Sequence, residues 1–105
     1  MIKNKLIKIV VLNELGKQIA TFGKFSINDI QKMINLAETL NMPCLAFIDI
    51  FQDTYFNDIQ CQDIKKEIEI LKQHDTTLNP TLLSSIQGAT NKALTEEEYI
   101  KFEGI

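Results

Sequence analysis

The chain contains no arginine and no tryptophan, and among its 105 residues only one histidine, two cysteines, two prolines and four glycines. Each scarcity weakens a class of function. Without arginine there is no planar fork for bidentate contacts to phosphates or base edges. A formal charge of -3 leaves no concentrated basic surface for a nucleic-acid backbone, so no nucleic-acid partner is expected. The densest early basic cluster, Lys3, Lys5 and Lys8, reads as solvated positions along a strand. His74 stands alone in sequence, with neither cysteine near it, and makes a poor zinc site. Cys44 lies in an apolar run and Cys61 in a helical pattern; they read as two buried free thiols and not as a disulfide. With so little glycine and proline there is no flexible linker or proline-rich arm. Residues 1–16 hold no apolar segment of signal-peptide length, and no stretch approaches transmembrane length, so a cytoplasmic location away from membranes is expected. Ser84-Ser85 lacks the Gly-x-Ser-x-Gly context, and glycine-rich phosphate or dinucleotide signatures are absent. No catalytic residue, cofactor or metal ligand is therefore assigned.

What is present is ordinary globular material: 45% hydrophobic residues, 24% charged residues and sixteen isoleucines. That inventory suits one domain over residues 1–105. Residues 5–12 are rich in β-branched side chains and read as a strand. Asn13–Lys17 supplies a turn in which Gly16 can take positive φ, and Gln18–Phe22 returns as an antiparallel partner. Ser26 is placed to cap a helix, with Asp29 in its first turn. Ile27, Ile30, Met33, Ile34, Ala37 and Leu40 define its apolar face, and Asn41-Met42-Pro43 ends it. The near-continuous apolar run Cys44–Ile50 reads as a central strand. Asn57 and Gln60 form the signature of a capping box, with Phe56 as the staple. The helix behind them buries Cys61, Ile64, Ile68 and Leu71, with Ile70 at the margin. Pro80 opens a third helix over 80–92, interrupted by Gly88. Glu98–Glu103 reads as a short edge or returning strand. The fold class expected is α+β: a small, mostly antiparallel sheet with helices packed on one face, in the order β-β-α-β-α-α-β.

Chemistry-bearing residues are few. Asp49, Asp53, Asp58 and Asp63 could in principle hold a hard cation or supply acid–base chemistry, but Asp58 fits the first turn of a helix and Asp63 can face water. Asp49 interrupts a strand that looks buried, which would demand a hydrogen-bond partner or a shifted pKa. Asp53-Thr54-Tyr55-Phe56-Asn57 joins strand to helix, a place from which Tyr55 could anchor a protein interface. It could equally close the turn and cover the sheet edge. Glu96-Glu97-Glu98 could face a basic partner, with solvation or a helix start as the plainer readings.

Ile48-Asp49, the run Asp53–Gln60, and the pattern through Glu67, Ile68 and Leu71 resemble a family of small bacterial immunity-like proteins. Tyr99–Gly104 extends the resemblance. That family carries an Asp-Thr-x-Phe-Asn segment ahead of a long amphipathic helix. Its ending reads aromatic, apolar, variable, aromatic, apolar, Gly, Asp; here Glu103 replaces the apolar residue and Ile105 the final acid. The resemblance implies a protein that protects a bacterium by binding a cognate toxin. It transfers neither catalytic residues nor a toxin-facing surface.

The leading expectation is a small inhibitor whose acidic face occludes a basic toxin, with Asp53, Tyr55, Asp58, Glu96, Glu97 and Glu98 as contacts. The alternatives are an enzyme uniting Asp49 with Cys44, His74 or another acid, and a regulatory or assembly subunit. The last includes a homodimer pairing through its terminal strand.

Overall fold

A computed structural model describes residues 5–105; Lys3, of the early lysine cluster, lies outside the described residues. β1 (Leu6–Leu12) and β2 (Gln18–Ser26) form the expected hairpin. Its turn is held by Asn13, whose Oδ1 accepts from the N–H groups of Leu15 and Lys17 at 2.9 and 3.0 Å, and by Gly16 at φ +81°. β2 runs four residues beyond the expected Phe22. Between the pairs Lys8–Lys24 and Val10–Thr21, β1 contributes one residue and β2 contributes two, a bulge at Phe22-Gly23. The extra residue inverts the alternation, so Phe22 and Phe25 both reach the core while Lys24 turns outward.

α1 (Ile27–Thr39) starts where Ser26 Oγ accepts from the Asp29 N–H at 3.1 Å. It ends on Asn41 in the left-handed region (φ 56°), with the Met42 N–H donating to the Ala37 carbonyl at 2.9 Å. α2 (Asp58–His74) opens on the capping box: Asn57 Oδ1 accepts from the Gln60 N–H at 2.8 Å, and Gln60 Oε1 from the Asn57 N–H at 2.9 Å. α3 (Pro80–Glu96) is capped by Asn79, whose Nδ2 also donates to Asp29 Oδ2 at 2.9 Å and ties the helix to α1. It runs past the expected residue 92. Gly88 sits against the Phe22 ring, where a Cβ would crowd the aromatic edge, so the glycine permits a close helix–sheet approach.

Two expectations are corrected. Cys44–Ile50 is not a strand: Leu45–Phe47 forms a single 3₁₀ turn. Cys44, Leu45 and Ile48 are buried while Phe47 is 73% exposed, a pattern no flat strand could produce. The third strand is instead β3 (Thr54–Phe56), three residues long. Secondly, β4 (Tyr99–Glu103) is not an edge. The sheet order is β2-β1-β4-β3, antiparallel throughout, so β4 lies between β1 and β3. A homodimer through that strand is blocked by its own neighbours.

The core lies between the sheet and the three helices, which pack on the face bearing Ile7, Ile9, Val11, Phe25, Phe56, Ile100 and Phe102. Phe56 and Phe102 meet edge to face at 5.9 Å. This is the expected α+β architecture.

Candidate functional site

The strand pairings decide what shares the face opposite the helices. Directly opposed residues in antiparallel strands project to the same side. Lys24, Lys8 and Glu103 therefore form one row, and Thr21, Val10, Lys101 and Tyr55 the next. Leu12 and Tyr99 form the last. Val10 is fully buried and Leu12 nearly so although no helix covers them. The stem of Lys101, whose side chain is 19% exposed, helps to shield this row, while its ammonium reaches Glu103 at 3.4 Å. At one end of this face Lys5, Leu6, Lys8, Lys24, Glu103 and Gly104 surround a shallow cleft of about 480 Å³. At the other, Tyr55 and Tyr99 flank a smaller, apolar cleft of about 250 Å³ beside the β1–β2 turn.

The predicted contact residues do not converge on one point. Tyr55 is 54% exposed at the middle of β3. Asp53 stands at the Gly104 end of β4, accepting from the Gly104 N–H at 3.0 Å. Glu96–Glu98 precede the opposite end of that strand, about 17 Å away for five extended residues. Asp58 is half-buried in the first turn of α2 and accepts from the Ile59 N–H at 3.0 Å.

The triple glutamate is a helix exit, which corrects the helix-start reading. Glu96 ends α3 and pairs with Lys92 at 3.1 Å; Glu97 is left-handed (φ 55°); the Glu98 N–H donates to the Ala93 carbonyl at 2.9 Å. Glu98 then turns inward on the side of Ile100 and Phe102. It is 7% exposed, and its Oε1 has no hydrogen-bond partner. Burial, followed by a hydrogen bond to Glu96 and that group's like charge, raises its pKa. Period-two alternation over Glu98, Ile100 and Phe102 carried this signal in the sequence.

Asp49 is exposed, not buried. Its Oδ1 accepts from the Phe51 N–H at 2.8 Å, and its own N–H donates to Thr54 Oγ1 at 3.0 Å. The buried acid nearby is Glu67, at 3% exposure on α2. Its Oε1 accepts from the Leu45 N–H at 2.9 Å, which holds the 3₁₀ turn; its Oε2 has no partner. Burial raises its pKa against the lowering effect of that bond and of Cys44. Glu67 shares the helical spacing of Ile64, Ile68 and Leu71, the pattern from which its burial could have been read.

Both thiols are free and buried. Burial first, then the neighbouring Glu67, pushes Cys44 up to about 12; burial and then Asp58 do the same for Cys61. At that pKa the thiolate, the form that attacks, is scarce at neutral pH. His74 lies seven residues beyond Glu67, about 10 Å further along α2, so the fold does not bring it to Cys44. Among the described residues no three of His, Cys, Asp and Glu gather closely enough to hold a metal ion, and no helix is long and apolar enough to cross a membrane.

One segment stands apart. From Met33 to Ile64 the chain has five acids and no lysine: Glu38, Asp49, Asp53, Asp58 and Asp63. Within it Phe47, Phe51, Tyr55 and Ile59 are 73%, 60%, 54% and 68% exposed. Its loop is pinned by the Asp49, Thr54 and Asp53 bonds above and by the Ile105 N–H donating to the Ile50 carbonyl at 2.8 Å. Comparison with protein families, with characterised proteins and with solved structures finds no match to this chain.

Proposed function

We propose that this chain is a small protein-binding inhibitor of the immunity type, one that neutralises a basic bacterial toxin by covering its active site or substrate groove. The observation that supports it is the lysine-free segment just described: four exposed apolar side chains, three of them aromatic, spread with acids between them from the 3₁₀ turn through the pinned loop and β3 to the first turn of α2. Large aromatic anchors supply most of the binding energy at protein interfaces. Carboxylates around them steer a cationic partner and select against an anionic one. Because the loop is already tied to the sheet and to residues 104 and 105, little ordering entropy is lost on association. Asp53, Tyr55 and Asp58 belong to this surface. Glu96 and Glu97 are exposed beyond the Tyr99 end of β4, Glu96 paired with Lys92, whereas Glu98 faces inward.

Affinity capture from the source cells, with tagged protein and identification of partners by mass, tests the reading. One stoichiometric basic protein whose toxicity is suppressed by this chain is the expected result. Recovery of the chain alone while candidate toxins are expressed would overturn it.

A further inference from the structure

The two free edges of the sheet differ. β2 carries the bulge at Phe22-Gly23 and an exposed Lys24. Bulges and edge lysines are devices that discourage another strand from pairing. β3 has neither. It bonds only to β4, and among the described residues no other backbone or side-chain group satisfies the outward N–H and C=O groups of Thr54–Phe56. Asp53 precedes this open row and Asp58 follows it, with Phe51 and Ile59 exposed just beyond and Tyr55 exposed at its centre.

From this arrangement we infer that β3 receives an extended segment of the partner as a fifth strand, in which lysine or arginine alternates with apolar side chains. The inference rests on the inhibitor reading above and adds the mode of contact. An added strand brings main-chain hydrogen bonds that carry no sequence preference; selectivity comes from the side chains beside it. A residue opposite Tyr55 projects to the open face, against the ring. A cation two residues along the added strand, on that same face, meets Asp53, and Lys101, across from Tyr55 on the inner side of β3, is paired with Glu103 at 3.4 Å. Three residues offer few main-chain bonds, so the side-chain pairs decide which strand binds.

The test uses the whole chain and a blocked octapeptide of alternating lysine and valine. The probe is followed by amide NMR shifts and hydrogen exchange. The expected result is a saturable shift centred on Thr54–Phe56, with the outward amides exchanging roughly tenfold more slowly at saturation. A glutamate–valine peptide, and the lysine–valine peptide methylated on alternate backbone nitrogens, should both lose the effect. So should Tyr55→Lys, which changes an exposed position and leaves the fold's amide spectrum otherwise intact. Shifts confined to the Lys5–Lys8–Lys24 cleft, no saturable shift, or equal binding of the methylated peptide would each overturn strand addition. A captured toxin that leaves exchange at residues 54–56 unchanged would do the same while the inhibitor reading stands. Failure to capture any partner counts against that reading, and the peptide still decides the edge.

Discussion

Replacing Glu67 by glutamine should stabilise the protein at neutral pH, whereas replacing it by alanine should destabilise it. The carboxyl group is buried; one oxygen holds the Leu45 N–H at 2.9 Å and the other has no partner. Glutamine keeps the acceptor for Leu45 and removes the charge. Alanine strips the Leu45 N–H of its acceptor and leaves a void under the 3₁₀ turn. An unsatisfied buried polar group costs about 1–3 kcal/mol. The expected changes at pH 7 are thus a gain of about 1 kcal/mol for glutamine and a loss of about 2 kcal/mol for alanine, void included. The pH dependence carries the sharper signature. Burial raises the Glu67 pKa above its ordinary value of 4.5, so the folded chain holds this proton more tightly than the unfolded one. Its contribution to stability is therefore fully present below the unfolded pKa and is lost as pH rises through the folded one. Urea midpoints for wild type and Glu67→Gln should nearly coincide in mild acid and diverge as pH rises through that window. A glutamine variant that is less stable than wild type at pH 7, with a gap independent of pH, would refute the reasoning. It would show the ionised carboxylate to be favourable in place.

Further expectations follow from other elements. Cys44 and Cys61, both pushed up to about 12, should react with iodoacetamide at pH 8 on the order of a thousandfold more slowly than in urea-unfolded protein; equal rates would mean that the thiols are not buried. Glu97→Gly should raise the unfolding free energy by about 0.5–1 kcal/mol, and the urea midpoint with it, because a left-handed φ of 55° suits glycine and the acid opposes the negative end of α3. A lowered midpoint would reveal a favourable contact for that carboxylate. Gly104→Ala should cost about 1–3 kcal/mol and speed amide exchange at residues 104 and 105, since the added Cβ overlaps the Gln52 backbone. An unchanged midpoint would show that the tail can shift without loss.

What could be read from the sequence was mostly local. Caps at Ser26 and Asn57, the helix-opening Pro80, the helical spacing of Ile30, Met33 and Ala37, and the hairpin turn at Asn13–Lys17 all act within a few residues. Cys44–Ile50 differs from the expected strand because a short apolar run looks the same whether it is a strand or a buried turn. The deciding contact, Glu67 with Leu45, spans 22 residues. β3 is too short to carry a periodic signal, and its place at the edge follows only from β4 inserting beside β1. For the candidate surface, Tyr55 and its flanking acids were visible in order along the chain. The free outward row of β3, the inward turn of Glu98 and the exposure of Phe47 and Phe51 depend on tertiary packing.

The insertion of β4 between β1 and β3 has a kinetic consequence. The strand pairs with residues almost the whole described chain away, so the sheet closes only through a contact of very high sequence separation. Topologies of that kind fold slowly for their size, since loop entropy is lost before the reward arrives. Until Tyr99–Glu103 docks, β3 has no strand beside it. The β1–β2 hairpin can form alone, but the opposite rim cannot exist in a half-folded molecule, and its appearance should coincide with the last, cooperative step of folding.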